Sequence, residues 1–208
     1  MPTVEPAAAF FTRSAEYWRG RFIQRGPLYL TLNPNECRLQ LIKVESLLRT
    51  RFKPGEYYAD GIDLGCGNGR FAPLLSSFVG HIWGLDFIAE PLEAMRKTDV
   101  TVSARKLDYP VKLPHLDKSI DIFTAIFTLQ HITNDLLLEE TLAEVARVLK
   151  PGARVITLDN ASDHHAYLKP RNPNKLAEML GLRKGFHFQR VTINNKPNDH
   201  WLIDGIKA

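Results

Sequence analysis

The feature that most constrains the fold is the run Gly61-Ile62-Asp63-Leu64-Gly65-Cys66-Gly67-Asn68-Gly69-Arg70-Phe71. A short stretch, Ala59–Leu64, enters it as a strand candidate. Three glycines at alternate positions, Gly65, Gly67 and Gly69, follow before a helical pattern begins. Glycine admits backbone angles closed to other residues and lets a ligand approach the main chain. In an open parallel sheet the ligand crevice lies at the carboxyl ends of the strands. The turn is therefore a candidate cofactor cradle. Counted from Gly65, the third small residue of a dinucleotide fingerprint falls on Arg70, whose bulk is unfavourable where helix packs on strand. A Walker lysine with its Ser/Thr is also lacking, which argues against a nucleoside triphosphate.

The rest of the pattern alternates helices and strands. Asn33 can cap a helix with Pro34 at its first position and Glu36 at its third. Cys37, Leu41, Val44, Leu48 and Phe52 then recur at helical spacing until Pro54-Gly55. Arg70–Phe78 reads as a helix, His81–Asp86 as a strand, Ala89–Lys97 as a helix and Val100–Leu107 as a weaker strand. Ser119–Phe127 is a continuous apolar run, which fits a strand buried on both faces. Leu138, Leu142, Val145 and Leu149 mark a helix closed by Pro151-Gly152. Arg154–Asp159 is a strand and Pro173–Leu180 a short helix. Phe186–Ile193 and His200–Lys207 are strands joined by the short loop Asn194–Asp199, hence antiparallel neighbours. The expected class is α/β: a doubly wound, mostly parallel seven-stranded sheet with one antiparallel strand near the C-terminus. It occupies residues 56–208, behind a helical extension over 1–55.

Two further acids end strands. Asp86 lies 17 residues past Gly69, where a carboxylate can accept hydrogen bonds from both hydroxyls of a ribose. Asp108 ends the third strand before Tyr109-Pro110, where it can accept from an adenine amine. Strand-end aspartates also cap helices, and a lone G-x-G-x-G is a weak signal. Three such features at the ends of three successive strands point to a nucleoside.

With these residues in place the chain resembles the class I S-adenosylmethionine (SAM)-dependent methyltransferases of the broad small-molecule type. The resemblance rests on 62–71 (IDLGCGNGRF), 84–97 (GLDFIAEPLEAMRK), the Asp108 segment, 119–132 (SIDIFTAIFTLQHI) and 147–157 (RVLKPGARVIT), in that order over residues 56–208. It implies a Rossmann-like fold with SAM as cofactor and S-adenosylhomocysteine as product. It also implies that Asp63 and the Gly65, Cys66, Gly67, Asn68, Gly69 loop hold the methionine part and that Asp86 holds the ribose. Phe87 would pack on adenine, Asp108 with the Tyr109 backbone would read the adenine edge, and Phe127 would border the methyl group. Ile88 stands where the family often has Ser or Thr.

Substrate-facing candidates come from three places. His131 follows the fourth strand where the family often places a substrate-facing histidine, and an imidazole can take a proton near neutral pH. His164 and His165 lie in the loop after the fifth strand. Tyr17, Trp18 and Arg21 sit on a helical pattern over 15–29 that reads as a lid. The expected reaction is in-line methyl transfer to oxygen or nitrogen of a small molecule, without a metal. A nucleic acid or protein acceptor and a non-catalytic SAM-binding partner subunit are the alternatives.

Charge bears on the acceptor. Residues 1–55 carry a net +5, residues 56–164 a net −6 and residues 165–208 a net +5, within an overall +4. Basic ends can meet an anionic partner, but the charges form no run. The position after the fourth strand reads Phe127-Thr128-Leu129-Gln130, not the Asp/Asn-Pro-Pro-Tyr/Phe loop of base amino-methyltransferases. Hydrophobic residues at 44% and charged residues at 24% exclude a disordered chain. No apolar run nears the ~18 residues of a spanning helix, so no membrane association is expected. The start of the chain lacks the pattern of a secretory signal. Two cysteines make neither a disulfide framework nor a zinc cluster, and a reduced, cytoplasmic setting is expected.

Overall fold

The computed structural model describes residues 5–26, 34–96, 102–161, 168–193 and 199–208. Among them seven strands form one sheet: β1 (Tyr58–Leu64), β2 (Val79–Asp86), β3 (Val102–Lys106), β4 (Ile120–Ile126), β5 (Leu149–Asn160), β6 (His187–Val191) and β7 (His200–Ile206). Their order is β3-β2-β1-β4-β5-β7-β6. The first five pair in parallel, and β7 runs antiparallel to both β5 and β6. The expected doubly wound sheet with one reversed strand is therefore present. The direction of the chain reverses between β1 and β4, so the crevice at their carboxyl ends is where a ligand belongs.

The apolar run of β4 is buried because it lies between β1 and β5, with helices on both sides of the sheet. One face packs Ile62, Leu64, Phe123 and Val155 against α5 (Asp135–Val148), α6 (Pro173–Met179) and the start of α1 (Ala7–Arg25). The other packs Ile82, Ile122, Ile156 and Leu202 against Val44 and Leu48 of α2 (Pro34–Arg49) and Leu74 and Leu75 of α3 (Ala72–Leu75). The fourth helix in chain order, α4 (Ala89–Met95), seats Met95 against Gly69 and Gly84, where a Cβ would meet its side chain at 2.6 and 2.8 Å.

Several boundaries differ from the sequence reading. The first helix begins at Ala7 rather than near Ala15, and it buries Ala7, Phe10 and Phe11. The helix expected over 70–78 shrinks to the four residues of α3. The Phe78 carbonyl accepts from Tyr58 N at 2.8 Å and its ring stacks on Phe52 at 4.0 Å, which draws the chain out into β2. Helix α2 stops at Arg49, and Phe52 enters the core from the bend beyond it. Pro151-Gly152 does not separate helix from strand, because α5 passes directly into β5. Instead it lies within β5, where the register against β4 shifts between Leu149 and Arg154. Gly152 sits there at φ +86°, a conformation that favours glycine at a bulge. Asn33 and the loop residues 194–198 lie outside the described residues.

Arg154 of β5 ties the sheet to the segment after α2. It donates to both oxygens of Asp204 on β7 (3.0 and 2.8 Å), to Glu56 (2.8 Å) and to the Arg51 carbonyl (2.6 Å), with its guanidinium over Phe52. Removing one partner of a buried ion pair leaves the others uncompensated. R154A should lower the unfolding free energy by about 3 kcal/mol, read as a shifted urea midpoint at unchanged m-value.

Candidate functional site

The glycine turn leaves β1 at Leu64 and is held from β2. Gly65 N donates to the Leu85 carbonyl at 2.7 Å, and Gly69 N closes the turn on the Cys66 carbonyl at 2.9 Å. Gly65, Gly67 and Gly69 all have positive φ, between +56° and +77°. A Cβ at Gly65 would also collide with the Thr128 side chain. The clamp on the turn is Asp86. Its Oδ2 accepts from Gly67 N at 2.9 Å and its Oδ1 from Ile88 N at 3.1 Å.

A second carboxylate, Asp63, lies below the turn and accepts from Thr124 Oγ1 at 2.9 Å. Burial pushes the Asp63 carboxyl up to about 7, and the nearby Asp86 charge adds to the rise against the opposing Thr124 hydrogen bond. Burial likewise raises Asp86, to about 6, although the backbone N–H groups favour its ionised form. Burial raises the Cys66 thiol as well, which favours its neutral form.

These groups wall a cleft that opens to solvent. Asp63, Gly65, Cys66, Asp86, Phe87, Phe127, His131 and Trp18 all border it. Phe127 adopts φ +58° as the chain leaves β4, with its N–H on the Leu158 carbonyl at 2.6 Å. Its ring meets Phe71 and His200 at 6.2 and 5.1 Å. His131 sits in the 3-10 turn Leu129–His131 with its ring edge-on to Trp18 at 4.6 Å.

Other expected site residues are placed differently. Gly67, Asn68 and Gly69 shape the turn behind the cleft wall, with Gly69 facing Met95. Asp108 is exposed and paired with Lys106, and the Tyr109 ring packs at 5.9 Å from Phe11. Tyr17 and Arg21 interact with each other, at 3.1 Å from Arg21 Nη1 to the Tyr17 hydroxyl, outside the cleft lining. His164 and His165 lie outside the described residues.

The structure adds residues that sequence reasoning missed. Phe10, Phe11, Ser14 and Ala15 of α1 line the cleft together with Trp18. Their spacing is one helical face, legible once the helix is started in the alanine run at Ala7. Phe11 meets Phe87 edge-on at 4.8 Å. Arg70 also borders the cleft: it reaches Gln40 at 2.8 Å and lies over the Phe71 and Phe127 rings. It therefore does not sit as a small residue packing helix on strand, as a dinucleotide turn requires.

Two buried carboxylates beside one cleft repel a pyrophosphate. They suit a ligand that brings hydroxyl donors and positive charge, since either draws the carboxyl groups back toward ionisation. The nucleoside sulfonium SAM carries ribose hydroxyls, an ammonium and a sulfonium, so the residues fit it.

Residues 62–157 match the family model of the methyltransferase domain. The chain carries a methyltransferase domain over these residues. The chain is 24% identical, over 94% of its length and 91% of the relative's, to the ubiquinone biosynthesis O-methyltransferase of Colwellia psychrerythraea. It is 31% identical to a demethylmenaquinone methyltransferase of Lactiplantibacillus plantarum, over about half of each chain (52% and 48%). In fold it is similar to a SAM-dependent methyltransferase from Aquifex aeolicus, with TM-score 0.65 and 20% identity over 85% of this chain and 94% of that one. No helix among the described residues is long and apolar enough to cross a membrane.

Between the ordinary 3.8 and about 7, folded Asp63 keeps a proton that the unfolded chain has lost, so this carboxyl opposes folding increasingly as pH rises through that window. D63N keeps an acceptor for Thr124 and buries no charge. Without cofactor it should melt several degrees above the parent protein beyond pH 7, with the gain fading toward pH 4, as thermal melts across that range would show.

Proposed function

We propose that this methyltransferase moves the SAM methyl group to an oxygen of a small aromatic hydroxy compound. The observation that carries the reading is the lining of the cleft, which includes the Phe10, Phe11, Trp18, Phe71 and Phe127 rings beside the two buried carboxylates. Aromatic walls of this kind suit a flat aromatic acceptor. The relatives named for ubiquinone and menaquinone biosynthesis support an aromatic acceptor.

Within this reading SAM supplies an electrophilic methyl on sulfur. Asp63 and the Gly65–Gly69 turn hold its methionine part. Asp86 accepts from the ribose hydroxyls while its clamp on Gly67 keeps the turn in place. Phe87 packs on the adenine, and Asp108 exchanges Lys106 for the adenine edge beside the Tyr109 backbone. Phe127 borders the transferring methyl. Helix α1, part of the 1–55 extension, closes over the cleft through Phe11 and Trp18, with Arg19 paired to Glu90 of α4. Residues 56–208 form the SAM-binding unit. The protein's contribution is to align the attacking lone pair with the sulfur–carbon bond and exclude water, which can supply ~7–11 kcal/mol. His131 faces the acceptor, and the segment with His164 and His165 is a further source of acceptor contacts.

Calorimetry with S-adenosylhomocysteine tests the cofactor half. D86N keeps one oxygen for the turn and loses the charge, and it should weaken binding about a hundredfold, the effect of ~3 kcal/mol in hydrogen bonds to a charged group. Unchanged affinity would remove Asp86 from the ribose site. A methyl-transfer screen of reduced catechols and hydroquinones against primary amines tests the acceptor half, with turnover expected on the hydroxy compounds alone.

A further inference from the structure

Arg70 follows the glycine turn directly and lines the cleft, the one lysine or arginine to do so among the described residues. Its guanidinium is laid over two walls of that cleft. The central carbon of the group is 4.6 Å from the centre of the Phe71 ring and 5.4 Å from that of Phe127. From α2, the Gln40 side-chain oxygen accepts from Arg70 Nη1 at 2.8 Å. The charge acts inside the cleft: burial raises the Asp63 carboxyl, and the Arg70 charge works against that rise. The lining thus combines two buried acids, Asp63 and Asp86, with one guanidinium. With both acids ionised, the three groups leave one net negative charge.

SAM carries an ammonium, a sulfonium and a carboxylate, and so one net positive charge, which cancels that of the lining. The carboxylate is the part that two buried acids repel. It shares a carbon with the ammonium, so it goes wherever the methionine end goes. An ionised group in such surroundings is favoured by an opposite charge within ~4–6 Å. We propose that Arg70 holds the carboxylate of the methionine end, and that the cleft thereby selects adenosyl ligands bearing an amino acid over those bearing only an amine. The proposal rests on the reading that the cleft takes SAM. A guanidinium presents five N–H donors in a planar fork, so it can keep Gln40 and meet a carboxylate as well. Its influence on Asp63, which holds the methionine part in that reading, sets Arg70 at the cofactor's end of the cleft rather than the acceptor's.

Calorimetry on the full chain with two ligands reads this without turnover. One is S-adenosylhomocysteine. The other is its decarboxylated form, which keeps the ammonium and loses only the carboxylate. The parent protein should bind the first about thirtyfold more tightly than the second, the worth of hydrogen bonds between charged groups. R70Q keeps a polar head that can reach Gln40 and loses the charge. It should bind S-adenosylhomocysteine about thirtyfold more weakly than the parent and the decarboxylated ligand equally well, so that the preference vanishes. R70K keeps the charge without the fork, and its preference should fall between the two; it carries the same comparison if R70Q does not fold. A preference that survives undiminished in R70Q, or in R70K where that variant stands alone, would overturn the proposal and move Arg70 to the acceptor's side. Equal weakening of both ligands would overturn it too, since Arg70 would then support the turn without touching the carboxylate. Equal affinity of the parent for the two ligands would have the same force. Binding of neither ligand to the parent would instead strike the SAM reading itself, and the proposal would fall with it.

Discussion

The site depends on a single carboxylate. Asp86 stands at the end of β2 and holds the turn from β1 by one oxygen and the entry to α4 by the other. Without such an acceptor, a turn carrying three positive-φ glycines would have many conformations to choose from. With it, the main chain of the turn is fixed before a ligand arrives. That rigidity has a cost: Asp63 and Asp86 are both buried beside the cleft, and both bind protons more readily than ordinary carboxyls. A ligand that brings donors and positive charge would offset the burial that the fold imposes on them.

Much of this was legible in the chain. The alternation of strands and helices, the reversed strand at the end and the acid that closes β2 depend on local pattern, and the parallel sheet follows from the alternation. The boundaries that went wrong have tertiary causes. Phe78 could have continued a helix on pattern alone; what pulls it out is stacking on Phe52, a residue 26 positions earlier. Pro151-Gly152 reads as a terminator in isolation and becomes a bulge because β4 and β7 flank it.

The same distinction holds at the site. Asp63, Asp86, Phe127 and His131 were readable as cleft residues because they lie at or just past strand ends, and strand ends converge on one crevice. Phe10 and Phe11 were not, since nothing local says that an N-terminal helix folds across the sheet's carboxyl edge. Arg70 was read only as an obstacle to a dinucleotide, whereas its partners Gln40 and Cys37 come from a helix some 30 residues away in sequence.

The contact between Gly65 and Thr128 joins these parts. The Thr128 side chain occupies the space that any larger residue at 65 would need, and its hydroxyl also lies 3.5 Å from the Gly65 carbonyl. Thr128 begins the short turn that ends in His131. The glycine turn after β1 and the turn that carries His131 thus share a contact with no slack. A displacement of the first by even a methyl's width is transmitted to the second, so the two halves of the pocket stay in register as one mechanical unit.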